Sequence, residues 1–350
     1  MVLAIIIAPE CATLVSVNST VKHLCLVPFL TTLALAQTAP SKPPAESKFV
    51  IPAGSDAATE IPYTIIRGPK PGPHLAVITG LSGTDYAPIN ALQLLIANLN
   101  TAELSGTLTV VHIANLPAFL ARSLFLNPTD RKELTRSFPG KADGSQSERI
   151  AYALTSKVID KADAVLVLEA GAGNTMLSPH VIQDTSSPAA LAEKIRAMAL
   201  SFGINYIVTA KGAADSPEAA ALTRGKPVLK VMCGAQAATD KRTMDMIVKG
   251  VLGIMNQQGM IKDNAVKTRS VVYIDSLNRM ESPRTGYLAI YVQRGDMVRR
   301  GDSIFGILSY DGKNPQIFNA PVNGIILSMF STAPVNKGET VAIIGTPREP

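Results

Sequence analysis

Cysteine, clustered positive charge and long apolar runs are all scarce in this 350-residue sequence, and each scarcity removes a class of protein. Of three cysteines, Cys11 and Cys25 lie in an N-terminal segment that reads as removable, which leaves Cys233 alone. A single cysteine closes no internal disulfide, so no disulfide framework is expected. Lys and Arg give a net charge of +6 but are scattered, with no dense basic run, so nucleic-acid binding is not expected. The apolar stretch 24–36 contains Pro28 and falls short of the roughly 20 residues that cross a bilayer, so no stable membrane span is expected. Beyond that stretch the histidines are His74, His112 and His180, and no two of them have ligand spacing.

What is present begins with a leader. Lys22 and His23 precede the apolar stretch, which closes on Ala34-Leu35-Ala36 with small residues at both recognition positions. Residues 1–36 therefore read as a secretory signal cleaved after Ala36, and the protein as exported to a periplasmic or extracellular space. Residues 37–48, rich in Pro and Lys, lack the large apolar side chains needed to order themselves and read as a linker.

The remaining length exceeds the roughly 100 to 200 residues of one domain, so two folded units are expected. In 49–266, short β-branched runs at 75–79, 108–113, 164–168, 206–209 and 228–233 alternate with helical periodicity at 88–99, 147–159, 188–202 and 239–256. That alternation predicts an α/β fold with a mixed sheet flanked by helices, whose sites gather at the carboxyl ends of strands. In 267–350 the pattern becomes short strands punctuated by Gly295-Asp296, Gly301-Asp302 and Gly338-Glu339, which predicts a small all-β barrel-sandwich-like module. That module is similar to biotinyl and lipoyl carrier domains. Lys313 stands where such domains carry a modified lysine, though Asp311-Gly312-Lys313-Asn314 is also ordinary turn chemistry.

Four segments carry a more specific likeness: RGPKPGPHLAVITGLSGTDYAPINALQLL from Arg67, ANLPAFLARSLFLNPTDRKELTRSFPG at 114–140, KADAVLVLEAGAG at 161–173 and GKPVLKVMCG at 225–234. In this order they resemble the succinylglutamate desuccinylase and aspartoacylase family, zinc-dependent deacylases that share the zinc carboxypeptidase fold. The resemblance implies a site. The family's G-x-H-G-x-E turn falls on Gly80 to Asp85, so its two zinc ligands correspond to Ser82 and Asp85. The third ligand, a His at the end of a later strand, corresponds to Glu169, and the general-base Glu corresponds to Met232. Arg136 matches the arginine that grips a substrate carboxylate, with Thr135 and Asp130 as the accompanying substrate-binding positions. Glu133 and Thr135 replace two asparagines of that motif, and Leu124 lies near a further family arginine.

Four substitutions at once change the chemistry. Catalytic zinc takes three protein ligands plus a water whose pKa it lowers to about 7. A neutral serine hydroxyl does not replace imidazole, and Met232 neither accepts nor delivers a proton. No cofactor is expected, although an oxygen-only set would suit an alternative, harder metal such as magnesium or calcium. Plainer roles also fit these residues. Asp85 reads as an N-cap, Ser82 as a turn residue, Glu169 as the partner of a Lys or Arg, and Arg136 as the partner of Asp130 or Glu169.

Two readings follow. In the first, the chain is a catalytically degenerate relative that binds a small carboxylate or N-acyl amino acid. In the second, it is a metal-dependent hydrolase of the amide bond of N-acyl amino acids, with a site rebuilt from Asp85, Glu169 and His180. A structural, envelope-associated role and assembly into an oligomer stay open beside both.

Overall fold

The computed structural model describes residues 47–262 and 270–348. The signal segment, most of the linker and the inferred boundary at 266/267 lie outside the described residues. Strand β1 (Ser47–Ile51) opens inside the stretch read as linker, and pairs antiparallel with β2 (Thr59–Arg67). There follow β3 (Lys70–Ile78), α1 (Tyr86–Asn98), β4 (Ser105–Val111), α2 (Leu116–Ala121), α3 (Gln146–Lys157), β5 (Ala164–Glu169), β6 (Thr175–Leu177) and β7 (His180–Asp184). The α/β part closes with α4 (Ala189–Phe202), β8 (Tyr206–Ala210), α5 (Pro217–Thr223), β9 (Val228–Met232) and α6 (Lys241–Gln257).

Four of these helices, α1, α3, α4 and α6, end within two residues of the bounds their periodicity predicts. Their local signals explain the agreement. Asp240 caps α6 by accepting from Thr243 N at 2.9 Å, and Ile247, Val251 and Ile254 recur on its buried face. Gly203, at φ 84°, closes α4 in a left-handed conformation that suits glycine. The short elements β1, β2, β6, β7, α2 and α5 are additions to the sequence reading, because runs of three to nine residues give periodicity too little room.

Strand order in the main sheet is fixed by hydrogen bonding. It runs β1-β2-β4-β3-β5-β9-β7-β8 and continues into strands from the C-terminal region. Within it β4, β3, β5 and β9 are parallel neighbours, whereas β7 lies antiparallel to β9. Leu75–Ile78 of β3 and Val165–Leu168 of β5 are fully buried, as continuous apolar runs in a covered parallel sheet should be. Helix α6 packs on both α1 and α4, and α3 packs on α5. The contact between α4 and α6 is close because Gly250 and Gly253 present no side chain there. A Cβ at Gly250 would meet the Phe202 ring, and one at Gly253 would meet the Ser201 carbonyl.

The C-terminal strands are β10 (Val272–Glu281), β11 (Gly286–Ile290), β12 (Met297–Val298), β13 (Ser303–Leu308), β14 (Gln316–Asn319), β15 (Gly324–Phe330), β16 (Pro334–Val335) and β17 (Thr340–Pro347). They divide between two sheets. β10, β17, β15 and β12 extend the large mixed sheet from β8, with β6 beside β15, while β14, β13, β11 and β16 form a separate four-stranded antiparallel sheet. The two layers enclose their own core, including Phe305, Ile326, Met329 and Val341. Lys313 is exposed in its turn, 3.6 Å from Asp311.

One buried ion pair ties the N-terminal loop to α3. Arg149, 4% exposed, reaches Asp56 Oδ1 at 2.6 Å, and the other carboxylate oxygen of Asp56 accepts from Gln146 N at 2.8 Å. Burial alone would raise the Asp56 pKa, but the bonds from Gln146 and Arg149 outweigh it and hold the carboxyl below its usual range. A depressed folded-state pKa contributes stability above the unfolded value and loses it as pH falls through the folded one. Asp56→Asn is therefore expected to lose stability at neutral pH and to show a shallower decline below about pH 4. Acid titrations followed by circular dichroism check this, and identical acid limbs in the two proteins would refute it.

Candidate functional site

Three parallel strands bring their carboxyl ends to one edge. The turn Gly80 to Asp85 follows β3, Glu169 ends β5 and Met232 ends β9. Because β7 runs antiparallel to β9, its first residue, His180, pairs with Met232 and reaches the same edge. Gly80 adopts φ 70° against the backbone of Ile113, and Gly83 N donates to Ser123 O at 3.0 Å, so the first turn is wedged against the segment carrying α2. Asn115 caps α2 and also donates to Leu81 O at 3.3 Å.

A cavity of about 650 Å³ opens over this edge, walled on its far side by β10, β15 and β17. A smaller one of about 300 Å³ adjoins it. Thr135, Glu169, Ile182, Lys230, Leu277 and Arg279 border both. The larger cavity is walled mainly by apolar side chains, among them Leu81, Leu124, Phe125, Met232, Met329 and Phe330. Its size falls within the roughly 300 to 1,000 Å³ typical of small-molecule sites.

Ser82, Thr135, Glu169, His180 and Met232 therefore meet at one cavity, and Arg136 lies on the smaller one. Asp85 and Asp130 border neither. Asp85 is fully buried, and its oxygens accept from Ser82 N and Ala170 N, each at 2.9 Å. The N-cap expected of it is not formed: no side-chain bond reaches the first turn of α1, and the carboxylate instead ties the β3 turn to the end of β5. Burial first, and then the nearby Glu169 charge, push Asp85 up to about 7 against the lowering effect of those amides. Asp130 is engaged by Ser147 N at 2.7 Å and Ser147 Oγ at 2.9 Å, and so holds the start of α3.

Glu169 is paired, as a carboxylate ending an apolar strand should be, and the partner is Lys230 at 2.8 Å. Glu218, from the first turn of α5, approaches the same ammonium at 3.7 Å. Burial alone would lower the Lys230 pKa, but Glu169 and Glu218 more than offset it and hold the lysine charged, above its ordinary range. Burial also raises the Glu218 carboxyl, with Lys230 pulling the other way. The thiol of Cys233, buried beside these groups, is pushed far up by burial and then by the charges of Asp85 and Glu169, which disfavours its thiolate.

Arg136 sits on a 3₁₀ turn, Leu134–Arg136, and is exposed. Its partner is neither of the two expected from sequence but Asp215, at a loose 3.4 Å. Of the histidines, His74 lies in β3, bonded to Lys161 O and Thr109 Oγ1. His112 falls just past β4 rather than inside it and meets Thr64 Oγ1 at 2.8 Å. His180 Nδ1 lies 2.8 Å from Ser178 O. A carbonyl oxygen only accepts, so Nδ1 carries the proton and Nε2 keeps its lone pair. Burial holds this ring below the usual imidazole range, which favours its neutral form.

The zinc that the sequence resemblance implies does not fit these residues. Asp85 is fully buried and borders neither cavity, its oxygens turned to backbone amides, Glu169 is held by an internal cation, and Ser82 offers only a neutral hydroxyl. Among the described residues no group of three or more His, Cys, Asp or Glu is arranged to hold a metal ion. Lys230, Glu218 and Arg279 are the site residues that sequence reasoning missed. A lysine inside the apolar run of β9, two residues before Met232 and so on the same strand face, was the available signal.

Comparison with known proteins places this frame. Residues 71–257, more than half of the chain, match the family model for the succinylglutamate desuccinylase/aspartoacylase catalytic domain. The chain is 27% identical over 298 residues to an N-alpha-acetyl-L-2,4-diaminobutyric acid deacetylase from Halomonas elongata, covering 82% of this chain and 86% of that protein. Its fold is similar to that of a product-bound ectoine utilization protein, EutE (DoeB), from Ruegeria pomeroyi, with a TM-score of 0.79 at 23% identity, covering 89% of this chain and 98% of that one. A succinylglutamate desuccinylase/aspartoacylase from Rhodobacter sphaeroides has the same TM-score of 0.79 at 20% identity, covering 87% and 96%. The chain belongs to the succinylglutamate desuccinylase/aspartoacylase family, a family of N-acyl amino acid deacylases.

Proposed function

We propose that this protein binds a small carboxylate or N-acyl amino acid on a deacylase frame without cleaving it. The observation that carries the reading is the 2.8 Å pair between Lys230 and Glu169 at the third ligand position. An ammonium there supplies positive charge, but it does not coordinate water and lower its pKa as zinc does. Met232 beside it removes the expected base. What remains is a cleft with an apolar wall, hydrogen-bonding backbone and fixed charges, which is the equipment of recognition.

A second reading, hydrolysis of the amide bond, draws on His180. Its neutral ring borders the cavity with the Nε2 lone pair free of a proton, as a general base requires. The two readings differ in turnover. Under the binding reading, N-acetyl-L-2,4-diaminobutyrate, N-acetylaspartate or N-succinylglutamate raises the melting temperature with no release of free amine. Amine release above that of heat-inactivated protein would overturn it in favour of His180-assisted hydrolysis.

Export belongs to the same reading. Residues 1–36 act as a cleaved leader, and the mature chain starts at Gln37. Mass spectrometry of protein recovered from the producing cell's exterior fractions tests this, and an intact N-terminus on cytoplasmic protein would refute it.

A further inference from the structure

The two adjoining cavities share two cations, and these are not equivalent. Lys230 is already committed, bonded to Glu169 and close to Glu218. The Arg279 guanidinium, unlike its backbone, has no ion pair or hydrogen bond among the described residues. It lies on β10, opposite Ile343 of β17, and shares a strand face with Leu277, which also borders both cavities. The carboxylate on the same wall, Glu339, is engaged instead by Asn336 N at 2.6 Å. Arg136, the arginine singled out by sequence, borders only the smaller cavity and already leans on Asp215.

The apolar wall is the second observation. Leu81, Phe125, Leu327, Met329, Phe330 and Ile343 border the larger cavity; Leu81, Leu327 and Met329 are themselves buried, whereas Phe125 is 53% exposed. About 650 Å³ is far more room than a two- or four-carbon acyl group fills. Apolar surface of that extent gains from covering by a ligand with an apolar arm.

We propose that Arg279 is the carboxylate anchor of this site and that its ligand is an anionic amphiphile, an N-acyl amino acid whose apolar acyl chain occupies the larger cavity. A guanidinium grips a carboxylate through two parallel N–H···O bonds, and Arg279 is the uncommitted cation positioned at the junction where a ligand head and an apolar arm would part. The assignment rests on the binding reading above and specifies its ligand class.

Calorimetric titration of the full chain with N-acetylglycine, N-octanoylglycine and N-octanoylglycinamide tests both halves. N-octanoylglycine is expected to bind at least about tenfold more tightly than N-acetylglycine, from the added buried methylenes. It is also expected to bind about tenfold more tightly than the uncharged amide. Arg279→Ala and Arg279→Gln should remove the preference for acid over amide and leave amide binding unchanged, while Arg136→Ala keeps the preference. Equal loss for acid and amide in the Arg279 variants would overturn the anchor. Binding of N-acetylglycine with no gain from the octanoyl chain would overturn the apolar arm yet leave the binding reading standing. Binding by neither acid would overturn the binding reading itself.

Discussion

Lys230→Met is expected to unfold at denaturant concentrations well below those of the parent protein, with about 3–5 kcal/mol of stability lost. The side chains involved are largely out of water: Lys230 is 19% exposed, Glu169 14% and Glu218 10%. Methionine matches the apolar stem of lysine as far as Cε, so the change removes the ammonium and little else. Glu169 and Glu218 would then face each other across a buried site with no cation between them. A buried carboxylate without a partner is destabilised by several kcal/mol unless it takes up a proton. The raised Glu218 carboxyl is the group expected to take up a proton first, so the loss should be smaller at low pH and larger as pH rises. Adding Glu169→Gln and Glu218→Gln to Lys230→Met should restore most of the stability. A single Lys230→Met variant as stable as its parent would mean that the pair contributes nothing to holding the site.

Phe202→Ala should cost about 3–5 kcal/mol, because it empties one of the largest buried positions of the core. Its ring fills the space that Gly250 leaves on α6, so the two positions are coupled. Gly250→Ala alone gains up to about 1 kcal/mol of helix propensity but drives a methyl group into the Phe202 ring, for a net destabilisation. In the double variant that methyl enters the vacated space. The double variant is therefore expected to be more stable than the sum of the two changes implies, by about 1–2 kcal/mol. Strict additivity in denaturant unfolding would contradict this packing of α4 against α6.

Much of the frame was legible in the sequence because its signals are local. The apolar runs of β5, β8 and β9 and the spacing along α1, α3, α4 and α6 depend on neighbours within a few residues. The family motifs also located the edge where Ser82, Glu169 and Met232 meet. What the sequence left hidden was mostly partnership at long range. Asp85 reads as a cap from its position before α1, yet Ala170, 85 residues further on, competes for its carboxylate and wins. Glu169 plainly needed a cation, but that the cation is Lys230 depends on β9 lying beside β5. Arg279 was out of reach for the same reason. Nothing near it in the chain says that β10 joins β8 and turns one face toward the cavity.

Under the proposed reading Lys230 is the resident cation of a site that does not take up the family's zinc. The most direct test of that reading is the metal content of purified protein incubated with excess zinc and then desalted, measured by plasma mass spectrometry. The account predicts far less than one zinc per chain. About one zinc per chain, released only by strong chelation, would contradict it.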